Sequence, residues 1–378
     1  MPLIRPHDFS LRDFNSQHIK RVAVRGVNWV GDAVMTVPAL RDLRQLLPAS
    51  HITLVTRLWA RDIFEGADFI DELLLVADEA NKSRSWLRQI QEWRRRRFDL
   101  AVLLPNAFAP ALIAAAARVP LRVGYATQNR RPLLTHSFAA PVWRGERHEV
   151  FYYRQLVREI EQLLARSDDA PREAEREPDF ALRVAPARGD AAAQLLRRYG
   201  IKPDQAMVAL CPGSTNSRAK RWPVARYAAL ADQLIEQAGA QVIIIGALEE
   251  LDVTWQVSAH MRQRPTVLTG ETSLAETVAV LGVVDLLVTN DTGPAHIATA
   301  LGVPTLVIFG PTNPATTRPF GPSAEVVHRP PDCAPCMLRD CPIDHRCMTA
   351  ITAEEIFARA VSLLESTARR APGLEVVR

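Results

Sequence analysis

Four stretches of the chain hold residue types at spacings that could do chemistry. The first is Asn28-Trp29-Val30-Gly31-Asp32, between an apolar run and an amphipathic one. Gly31 permits close backbone approach. An aspartate at a helix start is kept ionised by the positive end of the helix dipole. Asp32 therefore reads either as a capping carboxylate or as a general base. The second is Cys211-Pro212-Gly213-Ser214-Thr215, followed by Lys220, Arg221 and Trp222-Pro223. Hydroxyls and free backbone N–H groups beside a cation suit a phosphate. They equally describe a polar loop ahead of a helix that starts near Pro223.

The third stretch is Thr289-Asn290-Asp291-Thr292-Gly293-Pro294-Ala295-His296. Pro294 fits the first turn of a helix. The N–H groups of Thr292 and Gly293 would then be available to a pyrophosphate. Asp291 makes sense beside a phosphate if it binds a hydroxyl, a metal or Lys220. His296 is either a donor to phosphate or a structural histidine. The fourth stretch contains Cys333, Cys336, Cys341 and Cys347, spaced C-x2-C-x4-C-x5-C. Four thiolates could close a structural zinc site or hold an iron–sulfur cluster. The same residues could be reduced thiols, or form one or two disulfides. Four thiolate ligands leave no open metal position, so any metal there is expected to be structural.

Two common nucleotide fingerprints are missing. Gly26 and Gly31 do not make G-x-G-x-x-G, and no G-x-x-x-x-G-K-[ST] occurs. No D-x-D motif stands near the donor-like loop, so no obligatory catalytic metal is expected.

Around these stretches, apolar runs alternate with helical periodicity. Strands are expected at Arg21–Val24, His51–Thr56, Leu73–Val76 and Leu100–Leu104, then at Met207–Leu210, Gln241–Gly246, Val283–Thr289 and Pro304–Phe309. Helices are expected after Asp32, over Trp86–Arg96, through Ala117, over Val224–Gly239 and over Ile351–Ser366. Thr352 and Glu355 have the spacing of a capping box at the start of the last helix. Strand–helix alternation with near-continuous apolar strands implies parallel α/β units. Residues 166–190, rich in proline and dispersed charge, read as a linker. Two domains follow, and the default active site is a cleft between them at the carboxyl ends of the strands.

The chain has 378 residues, 48% hydrophobic and 23% charged, which is ordinary globular composition. Lys plus Arg is 46 and Asp plus Glu 42, a net charge of +4. That balance does not mark a nucleic-acid binder. Arg94-Arg95-Arg96-Arg97 reads as an exposed helix end before a membrane-facing patch. No apolar stretch reaches the ~18 residues of a membrane span. The N-terminus lacks the apolar core of a secretory signal. The cytoplasm is therefore the expected location, and four clustered cysteines there read as metal ligands before disulfides.

Taken in order, these motifs resemble the ADP-heptose:lipopolysaccharide heptosyltransferases, glycosyltransferase family 9. The resemblance rests on Trp29-Val30-Gly31-Asp32, Leu104-Pro105-Asn106, Arg122-Val123-Gly124-Tyr125, Cys211-Pro212-Gly213 with Ala219-Lys220-Arg221-Trp222-Pro223, and Thr289-Asn290-Asp291-Thr292-Gly293 with His296. It covers residues 21 to about 365 and is nearer the heptosyltransferase II branch than the I branch. The first 19 residues precede the family's usual first strand, and the Cys-rich loop is an insertion that many but not all relatives carry.

The resemblance implies a GT-B fold, with two Rossmann-like domains whose mainly parallel sheets face across a cleft. The implied organisation is an extension over 1–19, an acceptor domain over 20–185, a donor domain over 186–350 with the Cys-rich loop 333–348, and a helix and tail over 351–378. It implies inverting transfer of L-glycero-D-manno-heptose from ADP-heptose to the first heptose of the lipopolysaccharide inner core. Asp32 would be the base. Lys220 would act catalytically and, with Ser214 and Thr215, bind donor phosphates. Thr292, Gly293 and His296 would add contacts, and Asp291 would position the donor near its sugar. Glu249 or Glu250 would hold ribose. By charge alone, Arg61, Arg122, Arg130 and Arg131 are candidates for the anionic acceptor. The implied partners are ADP-heptose, inner-core lipopolysaccharide and the cytoplasmic face of the inner membrane. A transferase using another nucleotide sugar or acceptor, a non-catalytic nucleotide-sugar sensor and a zinc-dependent interaction module remain open readings.

Overall fold

The computed structural model describes residues 18–77, 82–164 and 177–370. They fall into two units, one ending at Phe180 and one starting at Ala181. The expected extension lies almost wholly outside the described residues, as do the first part of the expected linker and the end of the tail.

In the first unit, β1 (Arg21–Arg25), β2 (His51–Arg57), β3 (Glu72–Val76), β4 (Leu100–Leu103), β5 (Leu121–Tyr125) and β6 (His136–Phe138) form one parallel sheet. Its order is β3-β2-β1-β4-β5-β6. Val22, Ala23, Val24 and all of β4 are buried, as strands covered on both faces require. Ala23, Val55, Ala101 and Leu103 pack with Trp93 of helix Lys82–Arg96 and with Ala111, Ile113 and Ala114 of helix Phe108–Ala116. Helices Val37–Leu46 and Glu149–Leu164 are pinned by Arg154 Nε, 2.6 Å from Asp42 Oδ2.

The arginine run after Trp93 is held more tightly than a solvated helix end. Arg94 donates to the Ala116 carbonyl. Arg95 and Arg96 both bond Glu92, whose carboxyl they pull down to about 2. Arg96 also reaches Glu72.

In the second unit, β7 (Met207–Cys211), β8 (Gln241–Ile244), β9 (Thr266–Val267), β10 (Leu286–Asn290), β11 (Thr305–Phe309) and β12 (Ala324–His328) form a second parallel sheet. Its order is β12-β11-β10-β7-β8-β9. Every residue of β10 and β11 is buried. Leu210, Val288, Leu306 and Ile308 pack with Trp222, Tyr227, Met348 and Ile356.

Several boundaries differ from the periodicity, for physical reasons. The strand expected over Val283–Thr289 starts at Leu286. Asp285 ends the preceding turn by accepting the Met207 N–H at 2.8 Å, and so sets the register of β10 against β7. The terminal helix runs over Ala353–Arg370. Thr352 Oγ1 caps it by accepting the Glu355 N–H at 3.1 Å. The second half of the expected box is not made, because the Glu355 carboxylate bonds Arg329 and Arg359. Strands β5, β6, β9 and β12 and the helix Glu149–Leu164 were not signalled by periodicity. β9 has two residues, and β6 and β12 are half-buried edge strands. No described helix is long and apolar enough to cross a membrane.

Two expected acceptor residues turn out to hold this fold together. Arg130 is fully buried. It donates through Nε to the Tyr125 carbonyl at 2.8 Å and through Nη1 to the Pro105 carbonyl. It therefore ties Leu104-Pro105-Asn106 to the end of β5. A side chain at Gly124 would meet Arg130 Nη2 at 3.1 Å, which explains the glycine in Arg122-Val123-Gly124-Tyr125. Burial pushes the Arg130 guanidinium down to about 10. Arg122 is likewise committed, donating to Leu133 O at 2.7 Å and Val119 O at 2.5 Å. Burial lowers its pKa also.

Arg130→Met should therefore act on stability before it acts on any ligand. It strands buried carbonyls at Tyr125 and Pro105, at a cost of about 2–3 kcal/mol. Urea unfolding monitored by tryptophan fluorescence reads this directly. An unchanged midpoint would mean that the buried guanidinium braces nothing.

Candidate active site

The site of the second unit forms where β7, β8 and β10 end, at the carboxyl edge of the sheet. Asn290, the last residue of β10, is fully buried. Its Nδ2 donates to the carbonyls of Pro212 at 2.8 Å and Gly213 at 3.1 Å. Its Oδ1 accepts from the Trp222 N–H at 3.0 Å and the Tyr227 hydroxyl at 3.1 Å. One side chain thus shapes the whole turn from Cys211 to Trp222. Cys211 itself is sealed in, and burial pushes its thiol up to about 12, which leaves it inert as a nucleophile.

Asp291 comes next and turns to Lys220. Lys220 Nζ lies 2.7 Å from Asp291 Oδ2, and Thr312 Oγ1 donates to the same oxygen at 2.7 Å. The aspartate side chain is 5% exposed and the lysine 26%. Both contacts fall on one oxygen of a buried carboxylate, while the ammonium keeps an open side. Of the partners considered for Asp291, Lys220 is there, and so is a hydroxyl, that of Thr312. The helix Gly293–Ala300 begins immediately after, with Thr292 as its N-cap and Pro294 in its first turn. Its first N–H groups lack intrahelical partners and carry the positive end of the dipole. His296 is buried one turn into this helix.

The turn opposite holds a buried carboxylate. Glu250 Oε2 accepts the Ala247 N–H at 2.9 Å, and Thr215 Oγ1 donates to Glu250 Oε1 at 3.2 Å. A Cβ on Gly213 would lie 2.3 Å from this carboxyl carbon, and one on Gly246 would lie 3.0 Å from Oε2. Two glycines therefore make the room that Glu250 occupies. Glu249, the alternative to Glu250 for ribose, is exposed on the 3₁₀ turn Leu248–Glu250. Ser214 is buried, and its carbonyl accepts from Arg221.

The Cys-rich loop packs against the segment that carries Lys220. Ala219 N donates to Arg339 O at 2.9 Å. Ser217 Oγ lies 3.2 Å from the carbonyls of both Leu338 and Arg339. All five cysteines are free thiols. Burial, then the charges of Cys341, Cys336 and Cys333, push the Cys347 thiol up, so the four share one neighbourhood. Among the described residues, however, no three of His, Cys, Asp and Glu converge as metal ligands. The expected zinc or iron–sulfur centre has no support from this geometry. Cys347 is instead packed under Gly310 with Met348.

In the first unit, Asp32 lies in the first turn of helix Val30–Met35. It is not the cap. Trp29 holds that position in an extended conformation, so the capping role considered for Asp32 is not the one seen. Asp32 is half-buried, and its charge adds to burial in raising the pKa of Tyr153. Arg61 and Arg131 are exposed.

Sequence reasoning missed three residues and left Glu250 as an alternative to Glu249. Thr312 comes from a loop that carries no motif. Asn290 was inside a motif but hidden behind Asp291. Arg25 ends β1, is buried, and donates to Val55 O at 2.8 Å. Arg25 pairs with Val55 in register and Arg57 follows two residues later, so both arginines project from one face of the sheet.

Comparison with known proteins agrees with this geometry. The model of glycosyltransferase family 9 (heptosyltransferase) matches residues 86–346. Lipopolysaccharide heptosyltransferase 2 of Escherichia coli K12 is 27% identical over 280 residues, 71% of this chain and 77% of that protein. The Salmonella typhimurium LT2 protein of the same name is 28% identical over 283 residues, with the same coverage. Among solved structures, E. coli ADP-heptose lps heptosyltransferase II superposes with a TM-score of 0.76 at 25% identity, covering 92% of this chain and 99% of that one. A Veillonella parvula glycosyl transferase of family 9 shares the fold with a TM-score of 0.77 at 24% identity, covering 92% and 97%. The two parallel six-stranded sheets are thus those of a GT-B enzyme, and the chain belongs to glycosyltransferase family 9, the heptosyltransferases.

Proposed function

We propose that this glycosyltransferase moves L-glycero-D-manno-heptose from ADP-heptose to the first heptose of the lipopolysaccharide inner core, with inversion. The observation that carries the reading is the Lys220–Asp291 pair beside the N-terminus of helix Gly293–Ala300. A cation anchored by a buried carboxylate, next to unpaired backbone N–H groups, is built for a leaving diphosphate.

The chemistry divides between the two units. Asp32 takes the proton from the acceptor hydroxyl as its oxygen forms the new bond to heptose C1. The C1–O bond to ADP breaks on the opposite face, and the electron pair leaves on the β-phosphate. Lys220, with the N–H groups of Thr292 and Gly293, meets that charge. Asp291 keeps the Lys220 ammonium aimed. Ser214 and Thr215 line the phosphate turn, and His296 supports the helix from its first turn. Glu250, rather than Glu249, is the carboxylate set at the strand ends to accept from ribose hydroxyls. On the acceptor side Arg122 and Arg130 are spent on carbonyls, which leaves Arg61 and Arg131 as the exposed arginines of the four. A lipid-borne acceptor places the reaction at the cytoplasmic face of the inner membrane, in peripheral contact.

The test is ADP release from ADP-heptose with and without heptose-terminated core acceptor. Acceptor-dependent release is expected in the native chain. Asp32→Asn should lower turnover about 10²–10⁴-fold while ADP still binds, as loss of a general base predicts. Unchanged turnover would remove Asp32 as the base. For the nucleotide, isothermal titration should show Glu250→Gln binding ADP about tenfold more weakly, with Glu249→Gln close to native. The reverse order would assign ribose to Glu249.

A further inference from the structure

The loop between β12 and the terminal helix was read from its cysteines, but its contacts are made by other atoms. Three of them fall on the three residues before Lys220. The Ala219 N–H is taken by Arg339 O at 2.9 Å, Ser217 Oγ reaches Leu338 O and Arg339 O, and the Ala219 carbonyl faces His345 Nε2 at 2.6 Å. A carbonyl only accepts, so the ring carries its proton on Nε2. A fourth contact reaches the other side of the site, where Met337 N donates to Pro311 O at 2.9 Å, next to Thr312. Thr312 in turn holds Asp291. The exposed Arg218–Asp340 pair adds little.

The backbone of the loop is set for these contacts. Met337 and His345 have φ of 56° and 55°, in the left-handed region that residues with side chains seldom adopt. They bracket the stretch that touches Ser217–Ala219. Unusual conformations of this kind persist where surrounding contacts over-determine them.

We infer that the 337–345 loop is a brace for the donor site, with His345 as a positioning residue that holds Lys220 through the Ala219 carbonyl. The loop grips Lys220 from one side and the Thr312 segment from the other, so the ammonium and its carboxylate stay in register. His345 touches no substrate. Its effect is on where the ammonium sits when the nucleotide diphosphate arrives. The inference rests on the assignment of Lys220 to the donor phosphates.

The experiment uses the full chain, with His345→Ala, His345→Gln and Ser217→Ala. Hydrogen–deuterium exchange over residues 217–222 and titration with ADP are both read. His345→Ala should speed exchange in that segment and weaken ADP about tenfold, the scale of one lost partly buried hydrogen bond. The glutamine amide can donate to the same carbonyl, so His345→Gln should recover most of both. Ser217→Ala should move both readouts in the same direction by less. The KM for acceptor should stay at the native value. Unchanged exchange and ADP affinity in His345→Ala would overturn the brace. So would equal losses in the alanine and glutamine variants, since that is what a merely structural histidine predicts. If native chain shows no saturable ADP binding while exchange still responds to His345→Ala, the donor assignment of Lys220 fails and the brace on its segment stands.

Discussion

Four hydrogen bonds leave the fully buried amide of Asn290: two to the carbonyls of Pro212 and Gly213, and two from the Trp222 N–H and the Tyr227 hydroxyl. No other residue type of that size offers two donors and two acceptor sites in one plane. In a core that excludes water, each bond left unmade would strand a buried polar group. The turn that carries Ser214, Thr215 and Lys220 therefore has one place to sit. Asp291 can then meet Lys220 at 2.7 Å because its neighbour has already fixed the far side of the turn. Glu250 needs the same turn, since only the bare backbone of Gly213 leaves space for its carboxylate.

Arginine chemistry in this chain separates by burial. Arg130 is fully buried and Arg122 half-buried, and their guanidinium groups satisfy carbonyls that strand ends and loops leave open. A buried guanidinium with five donors suits that task better than a lysine. Arg94 to Arg96 are spent on Ala116, Glu92 and Glu72. A net charge of +4 thus says little about where cations face a ligand. Lys220, at the carboxyl edge of the second sheet, is distinguished by its buried partner Asp291 rather than by local charge density.

The cysteine cluster illustrates the same point from the other direction. Thiol spacing suggested a metal, and the four thiols do share a neighbourhood. What the loop does in the fold is carried by backbone carbonyls of Leu338 and Arg339 and by the ring of His345. Those atoms have no spacing signature, because any residue supplies a carbonyl.

Much of the fold was legible from residue order. Strands such as Met207–Leu210 and Pro304–Phe309 are apolar throughout because both faces are covered, and that pattern survives in one dimension. The short edge strands β6, β9 and β12 were not legible, since a half-buried pair or triplet carries too little periodicity. Asp32, Lys220 and Asp291 could be named from their place after strands, where open α/β sheets put their ligands. Which aspartate would pair with which lysine was undetermined, and so was the choice between Glu249 and Glu250. Those are decisions about direction and burial, set by which side chain finds room among distant backbone atoms. The sequence by itself determined the alternation of elements, the family and the segments that supply chemistry, because these follow from local pattern. The tertiary structure alone decided which arginines brace carbonyls, which glutamate is buried beside Gly213 and what pairs with Lys220, because these depend on contacts between residues 25 to 71 positions apart.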